Sequence, residues 1–191
     1  MLPHFLYIDF EISIIFTAIK KYVIIFSNIS RRNILMEIEI VEKKDFEVIG
    51  KVAEGESEKH SQWVLPLWQN FNKNIKEIIN LVKVDENNNL AGIWGIMNDI
   101  DDTFAPWGEM GKYMAGVEVK ENSAVPEGWV KWNIKGGKFI KVKCNIENYS
   151  KIFTKIVEDY APKNGYVIVE NVMEYYIPNS KDFYLFFKIK N

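Results

Sequence analysis

The chain has 191 residues, 26 carboxylates against 24 Lys and Arg, a net charge of -2 and a pI of about 5.8. No basic arm or long Lys/Arg cluster is present, which argues against direct nucleic-acid binding. One cysteine, Cys144, excludes an internal disulfide and a multi-cysteine metal site, and two distant histidines, His4 and His60, leave no basis for a His-based metal centre or triad.

No cofactor or metal is expected. The length suits one domain with a full core. Six Trp, nine Tyr and twelve Phe make a high aromatic share; most should be core, and any surplus could line a pocket.

Residues 1–35 are apolar and aromatic but poorly patterned. Asp9, Glu11, Lys20 and Lys21 interrupt any run near the roughly 20 residues of a membrane span. A signal-peptide pattern is lacking, and a cytoplasmic protein is expected. Arg31-Arg32, then three residues, then Met36, fits a ribosome-binding AGG-AGG ahead of a start codon. The expectation is that Met36 begins the protein and that 1–35 is translated upstream sequence. The alternative is a weak amphipathic segment that meets a membrane or a partner.

From Met36, residues 36–42 and 46–53 read as strand material broken near Lys43-Lys44-Asp45. Residues 61–82 form the clearest helix, with Val64, Leu67, Trp68, Phe71, Ile75, Ile78 and Val82 on one stripe. Residues 90–97 read as a buried strand whose glycines, Gly92 and Gly95, leave space above a sheet. An acidic, Trp-bearing loop follows over 98–111, then a strand over 112–119.

The second half repeats the plan. Segments 129–134 and 138–144 read as strands about Gly136-Gly137, and residues 138–189 share the plan of 46–119. A helix over 149–160 puts Tyr149, Ile152, Phe153, Ile156 and Tyr160 on one face. Two aromatic runs, 172–178 and 182–189, flank Asn179-Ser180-Lys181 as a closing hairpin. The fold class is α+β: a duplicated strand–helix–hairpin (βαββ) unit building one antiparallel sheet, two helices on one face and a cleft between them.

In the last hairpin, strand alternation puts Val172, Glu174 and Tyr176 on one side. An acid beside a phenol there faces either solvent or a pocket. Asp99, Asp101 and Asp102 read as a solvated loop rather than a metal site.

Several segments together resemble the GyrI-like small-molecule-binding family, which includes effector-binding domains of AraC-type and MerR-type multidrug regulators. They are Val125-Pro126-Glu127-Gly128-Trp129, Ile134 to Phe139, Met173-Glu174-Tyr175-Tyr176, Phe183 to Ile189, Leu67 to Phe71 in the first helix, and Tyr113 to Val119. The similarity spans 36–191. It implies a duplicated βαββ fold with a central ligand cleft and a glutamate in it, which falls on Glu174. Met173 stands where the family often has Phe. The resemblance also places Tyr113 near the cleft.

A carboxylate among aromatic rings suits a lipophilic cation, with cation–π attraction of roughly 0.5–2 kcal/mol per ring. Burial then raises the carboxyl pKa in the empty pocket. Trp94, between two glycines, is a candidate platform, and Trp107 a candidate lid. Trp68 lies on the helix stripe, where core is the first role and pocket wall the second. Tyr176 shares the face of Glu174.

The function expected is a stand-alone small-molecule-binding protein, sensor or sequestering, because residues 1–35 are too few and not basic enough for a helix-turn-helix domain. Action on transcription then requires a regulator partner. One alternative is hydrolysis of strained electrophiles, with Glu174 as general base for water assisted by Tyr113 or Tyr176. A second is protein interaction of the gyrase-inhibitor type.

Overall fold

Alternating apolar residues and short polar links produce nine strands in the described part of the chain. They are β1 (Ile38–Lys43), β2 (Phe46–Glu56), β3 (Ile93–Asn98), β4 (Met110–Glu118), β5 (Val130–Ile134), β6 (Gly137–Asn145), β7 (Val167–Ile168), β8 (Met173–Tyr176) and β9 (Asp182–Lys190). Helix α1 (Ser61–Asn74) lies between β2 and β3, and α2 (Tyr149–Lys155) between β6 and β7. This computed structural model describes residues 36–84, 90–178 and 180–190. Both expectations for residues 1–35 fall outside the described residues.

All pairs are antiparallel, in the order β1-β6-β9-β8-β3-β4-β2-β5, with the short β7 alongside β9. The order is symmetric about the β8–β3 boundary. Each half supplies one helix, the strand before it and the hairpin after it, as the duplicated pattern predicts. Each half also lends its first strand to the other: β1 pairs with β6, and β5 with β2.

The two strands expected about Gly136-Gly137 are present but are not partners. β5 and β6 do not pair; β5 runs from Phe46↔Ile134 to Gly50↔Val130 on β2. Lys135 and Gly136 instead make a corner against residues 43–45. The Asp45 carboxylate accepts the Gly136 N–H at 2.9 Å and the Lys135 ammonium at 2.8 Å. A Cβ on Gly136 would collide with the backbone of Lys43 and Lys44. The two corners brace each other, which no local pattern encodes.

Helix α1 stops earlier than the apolar stripe. The Asn74 amide turns back onto Asn70, and Ile75–Ile78 continues as a tighter 3-10 turn that keeps Ile75 and Ile78 buried. The second helix contains one wide π-type turn, Ile156–Tyr160, before a last turn Ala161–Lys163. That turn lets both Ile156 and Ala161 reach the core. Gly165, at φ 72°, ends it.

The sheet has an apolar core on each face. Under the helices lie Val64, Leu67, Trp68 and Phe71 of α1, Tyr149 and Ile152 of α2, and Ile93, Tyr113, Tyr176 and Leu185 of the sheet. On the other face Phe46, Trp94, Ile96, Met114, Phe139 and Phe186 form a separate cluster.

Candidate functional site

Strand β8 lies at the centre of the sheet, with Glu174 opposite Gly95 of β3 and Leu185 of β9. Alternation turns Val172, Glu174 and Tyr176 towards the helices and Met173 and Tyr175 away. Glu174 is completely buried. Its Oε2 accepts two phenol hydrogen bonds, from Tyr113 at 2.6 Å and Tyr176 at 2.8 Å. Trp68 Nε1 in turn donates to the Tyr113 hydroxyl at 3.3 Å. The Tyr149 phenol of α2 is a third group that favours the charged carboxyl.

Gly95 makes this arrangement possible. A Cβ there would overlap the Tyr113 hydroxyl and lie 2.7 Å from Glu174 Oε2. The rings pack edge to face around the acid: Trp68 on Tyr176 at 5.0 Å, Trp68 on Tyr113 at 6.3 Å, with Phe183 stacked on Tyr176 at 5.3 Å.

No lysine or arginine among the described residues pairs with Glu174. Burial pushes its carboxyl up to about 7, and the phenols offset only part of that rise. Burial and the neighbouring acid push Tyr113, Tyr176 and Tyr149 well above the ordinary phenol range. The phenols are therefore donors, and the carboxyl sits near the boundary between neutral and charged.

The cluster unites four of the expected site residues: Glu174, Tyr113, Tyr176 and Trp68. Trp107 lies at its rim, half-buried over Gly111 and 5.5 Å from Trp63. Trp94 does not belong to it. Because Gly95 faces Glu174, its neighbour Trp94 must point to the opposite side, where it packs on Phe46, Tyr175 and Phe186 beneath the Lys43 ammonium. The space expected over the two glycines is also filled, Gly95 by the acid and phenol and Gly92 by the Trp94 indole.

The expected cleft is thus closed by its own aromatic lining. Two surface depressions lie elsewhere, one of about 200 Å³ beside Lys143, Asn148 and Asp182, the other of about 490 Å³ beside Val157, Pro162 and Tyr166.

The acidic loop is built from internal bonds. Asp99 accepts from the Thr103 N–H and hydroxyl, and Asp102 pairs with Lys112 at 2.8 Å. Buried Asn98 accepts the Phe104 N–H at 2.7 Å. Trp63 and Asn98 carry no signal in the sequence, whereas Tyr149 and Gly95 read there only as a helix-stripe ring and a space-leaving glycine. Tyr149 looks like any aromatic on a helix stripe, and the others matter only through partners distant in the chain. Cys144 is a buried thiol pushed up by desolvation.

Two helices over one symmetric antiparallel sheet are the fold that the GyrI-like resemblance implies. The chain belongs to the Cass2 family of integron-associated effector binding proteins, whose family model matches residues 39–189. It is similar in structure to SAV2435 bound to tetraphenylphosphonium, at 16% identity and a TM-score of 0.58, over 82% of this chain and 95% of that one. It is similar to the EcmrR C-terminal domain, at 13% identity and a TM-score of 0.54, over 83% and 99%.

Against EcmrR in complex with DNA the identity is 13% and the TM-score 0.55, covering 84% of this chain and 60% of that one. These identities establish the fold alone. A search of curated proteins gives no significant match. No helix among the described residues is long and apolar enough to cross a membrane.

Proposed function

We propose that this effector-binding protein takes a lipophilic organic cation at Glu174 and acts as a sensor or sequestering protein for it. The observation that carries the reading is a completely buried carboxyl, walled by Trp68, Tyr113, Tyr149 and Tyr176, that no basic side chain among the described residues neutralises. An uncompensated buried charge is costly, and an entering cation supplies the missing countercharge. The surrounding rings add cation–π attraction and exclude water. The tetraphenylphosphonium bound by SAV2435 is a cation of this class.

The comparison with EcmrR supports a domain that senses, with any effect on transcription passing through a DNA-binding element outside residues 36–191. The test is thermal unfolding with tetraphenylphosphonium. A ligand at about 100 times its dissociation constant adds roughly 2.7 kcal/mol. The stabilisation is expected in the wild type and not in Glu174→Gln; equal shifts in both would remove Glu174 from the site.

A further inference from the structure

Glu174 is enclosed on every side, so a ligand reaches it only after part of the wall moves. Strand register orders the wall on the helix side of the sheet. The first row carries Gly95 and Ala115, level with Glu174. The next row carries Tyr113, paired with Ala53 and Met97. One row further, Gly111 pairs with Gly55, and there the side chains vanish.

Two indoles from elsewhere fill that gap. Trp63 of α1 lies over Gly55 and Trp107 over Gly111, so close that a Cβ on either glycine would enter the ring. The rings pack at 5.5 Å, and each indole N–H is bound to a backbone oxygen at 3.1 Å, Glu56 for Trp63 and Lys112 for Trp107. Residues two apart on a strand are about 7 Å apart, so this pair abuts the Tyr113 row that caps the acid.

The two members of the pair are held differently. Trp63 is part of a helix. Trp107 is in an irregular segment with fixed ends. On one side Asn98 and Asn171 pin Phe104 and Ala105. On the other, the Glu109 carbonyl accepts the Ser57 N–H at 2.9 Å, and β4 begins at Met110. Between these ends Pro106, Gly108 and Glu109 are exposed, and a Cβ on Gly108 would touch nothing. Trp107 is the one half-buried side chain of 106–109.

The electrostatics of this end favour one ligand class. Residues 54–59 and 99–112 contain seven carboxylates and two lysines, in a chain whose net charge is only -2. Both lysines are taken up, Lys59 by Glu56 and Lys112 by Asp102. The resulting field attracts cations and raises their encounter rate.

We propose that Trp107 is the gate of the Glu174 site: the segment 106–109 swings its indole off Gly111, and an organic cation enters from the acidic end, passing Trp63 and Tyr113. This rests on the cation-binding reading of Glu174. The gate governs how fast the ligand enters, while the buried acid governs how tightly it is held.

Stopped-flow tryptophan fluorescence with tetraphenylphosphonium tests it, on wild type, Trp107→Ala, Gly111→Ala and Glu174→Gln. Gly111→Ala keeps the indole but evicts it from its place, so the two gate variants should agree. Each is expected to raise the association rate by about tenfold or more, with dissociation accelerated too. Added salt should slow association in all binding-competent forms. Association rates of both gate variants within about twofold of wild type would overturn the gate. If Glu174→Gln loses affinity in that same experiment, the cation site survives without the gate. Absence of tetraphenylphosphonium binding by wild type and gate variants alike overturns both.

Discussion

Glu174→Gln isolates one titration from all the others in the protein. The wild-type carboxyl is pushed from 4.5 to about 7 by burial. Below about pH 4.5 the group is protonated folded and unfolded, and contributes no pH dependence. Between 4.5 and 7 the unfolded chain releases its proton while the folded one keeps it, so stability falls as pH rises. Above about 7 both forms are ionised, and the folded state carries the full cost of a buried charge. A gap of this size corresponds to about 3 kcal/mol.

For a folded unit of this length that is about 6–12 °C in Tm. The assay is urea unfolding of both proteins from pH 4.5 to 8.5, taking the difference at each pH so that other groups cancel. The wild type should lose about 3 kcal/mol relative to Glu174→Gln across that window, with the midpoint of the change near pH 6. Parallel curves would refute the reasoning, because they would mean that the carboxyl has an ordinary pKa and thus is not a desolvated, uncompensated acid.

Three further outcomes follow from the same geometry. Gly95→Ala drives a methyl into the Tyr113 hydroxyl and Glu174, and should cost about 1–3 kcal/mol in urea unfolding and weaken tetraphenylphosphonium binding. Tyr113→Phe removes one of the two donors to Oε2 and the acceptor of the Trp68 N–H. It should move the Glu174 titration to higher pH and cost about 1–3 kcal/mol above pH 8, less in acid. Trp94→Ala empties the opposite face of the sheet, and should cost about 3–5 kcal/mol in stability. Its folded form should nevertheless bind tetraphenylphosphonium within roughly twofold of wild type, by isothermal titration.

Much of this molecule is written in local pattern. The apolar stripe Val64, Leu67, Trp68, Phe71 needs only a 3.6-residue period to declare a helix face, and these four residues are buried as a set. The alternation of Val172, Glu174 and Tyr176 needs only the two-residue period of a strand, and it places the acid and the phenol on one side. The duplicated order of strand, helix and hairpin reads directly from the spacing of such segments.

Other features depend on residues that meet only after folding. The exchange of β1 and β5 between the halves rests on strand pairings between distant segments, and where the chain turns, Asp45 meets Lys135 and Gly136 across about ninety residues. Helix α1 ends at Asn74 because a side-chain amide competes for its last turn, although the apolar stripe continues.

The site shows the same division. The family resemblance points to Glu174, but its burial is decided by the fold. Whether two glycines leave a cavity depends on what other strands project over them: here Tyr113 and Glu174 occupy one space, and indoles occupy those above Gly92, Gly55 and Gly111. Trp94, adjacent in sequence to the site, lies outside it because one residue along a strand reverses the face. Tyr149, far away in sequence, borders it because α2 crosses above β9. Periodicity sets which way a side chain points, whereas burial, ionisation and enclosure are properties of the assembled neighbours.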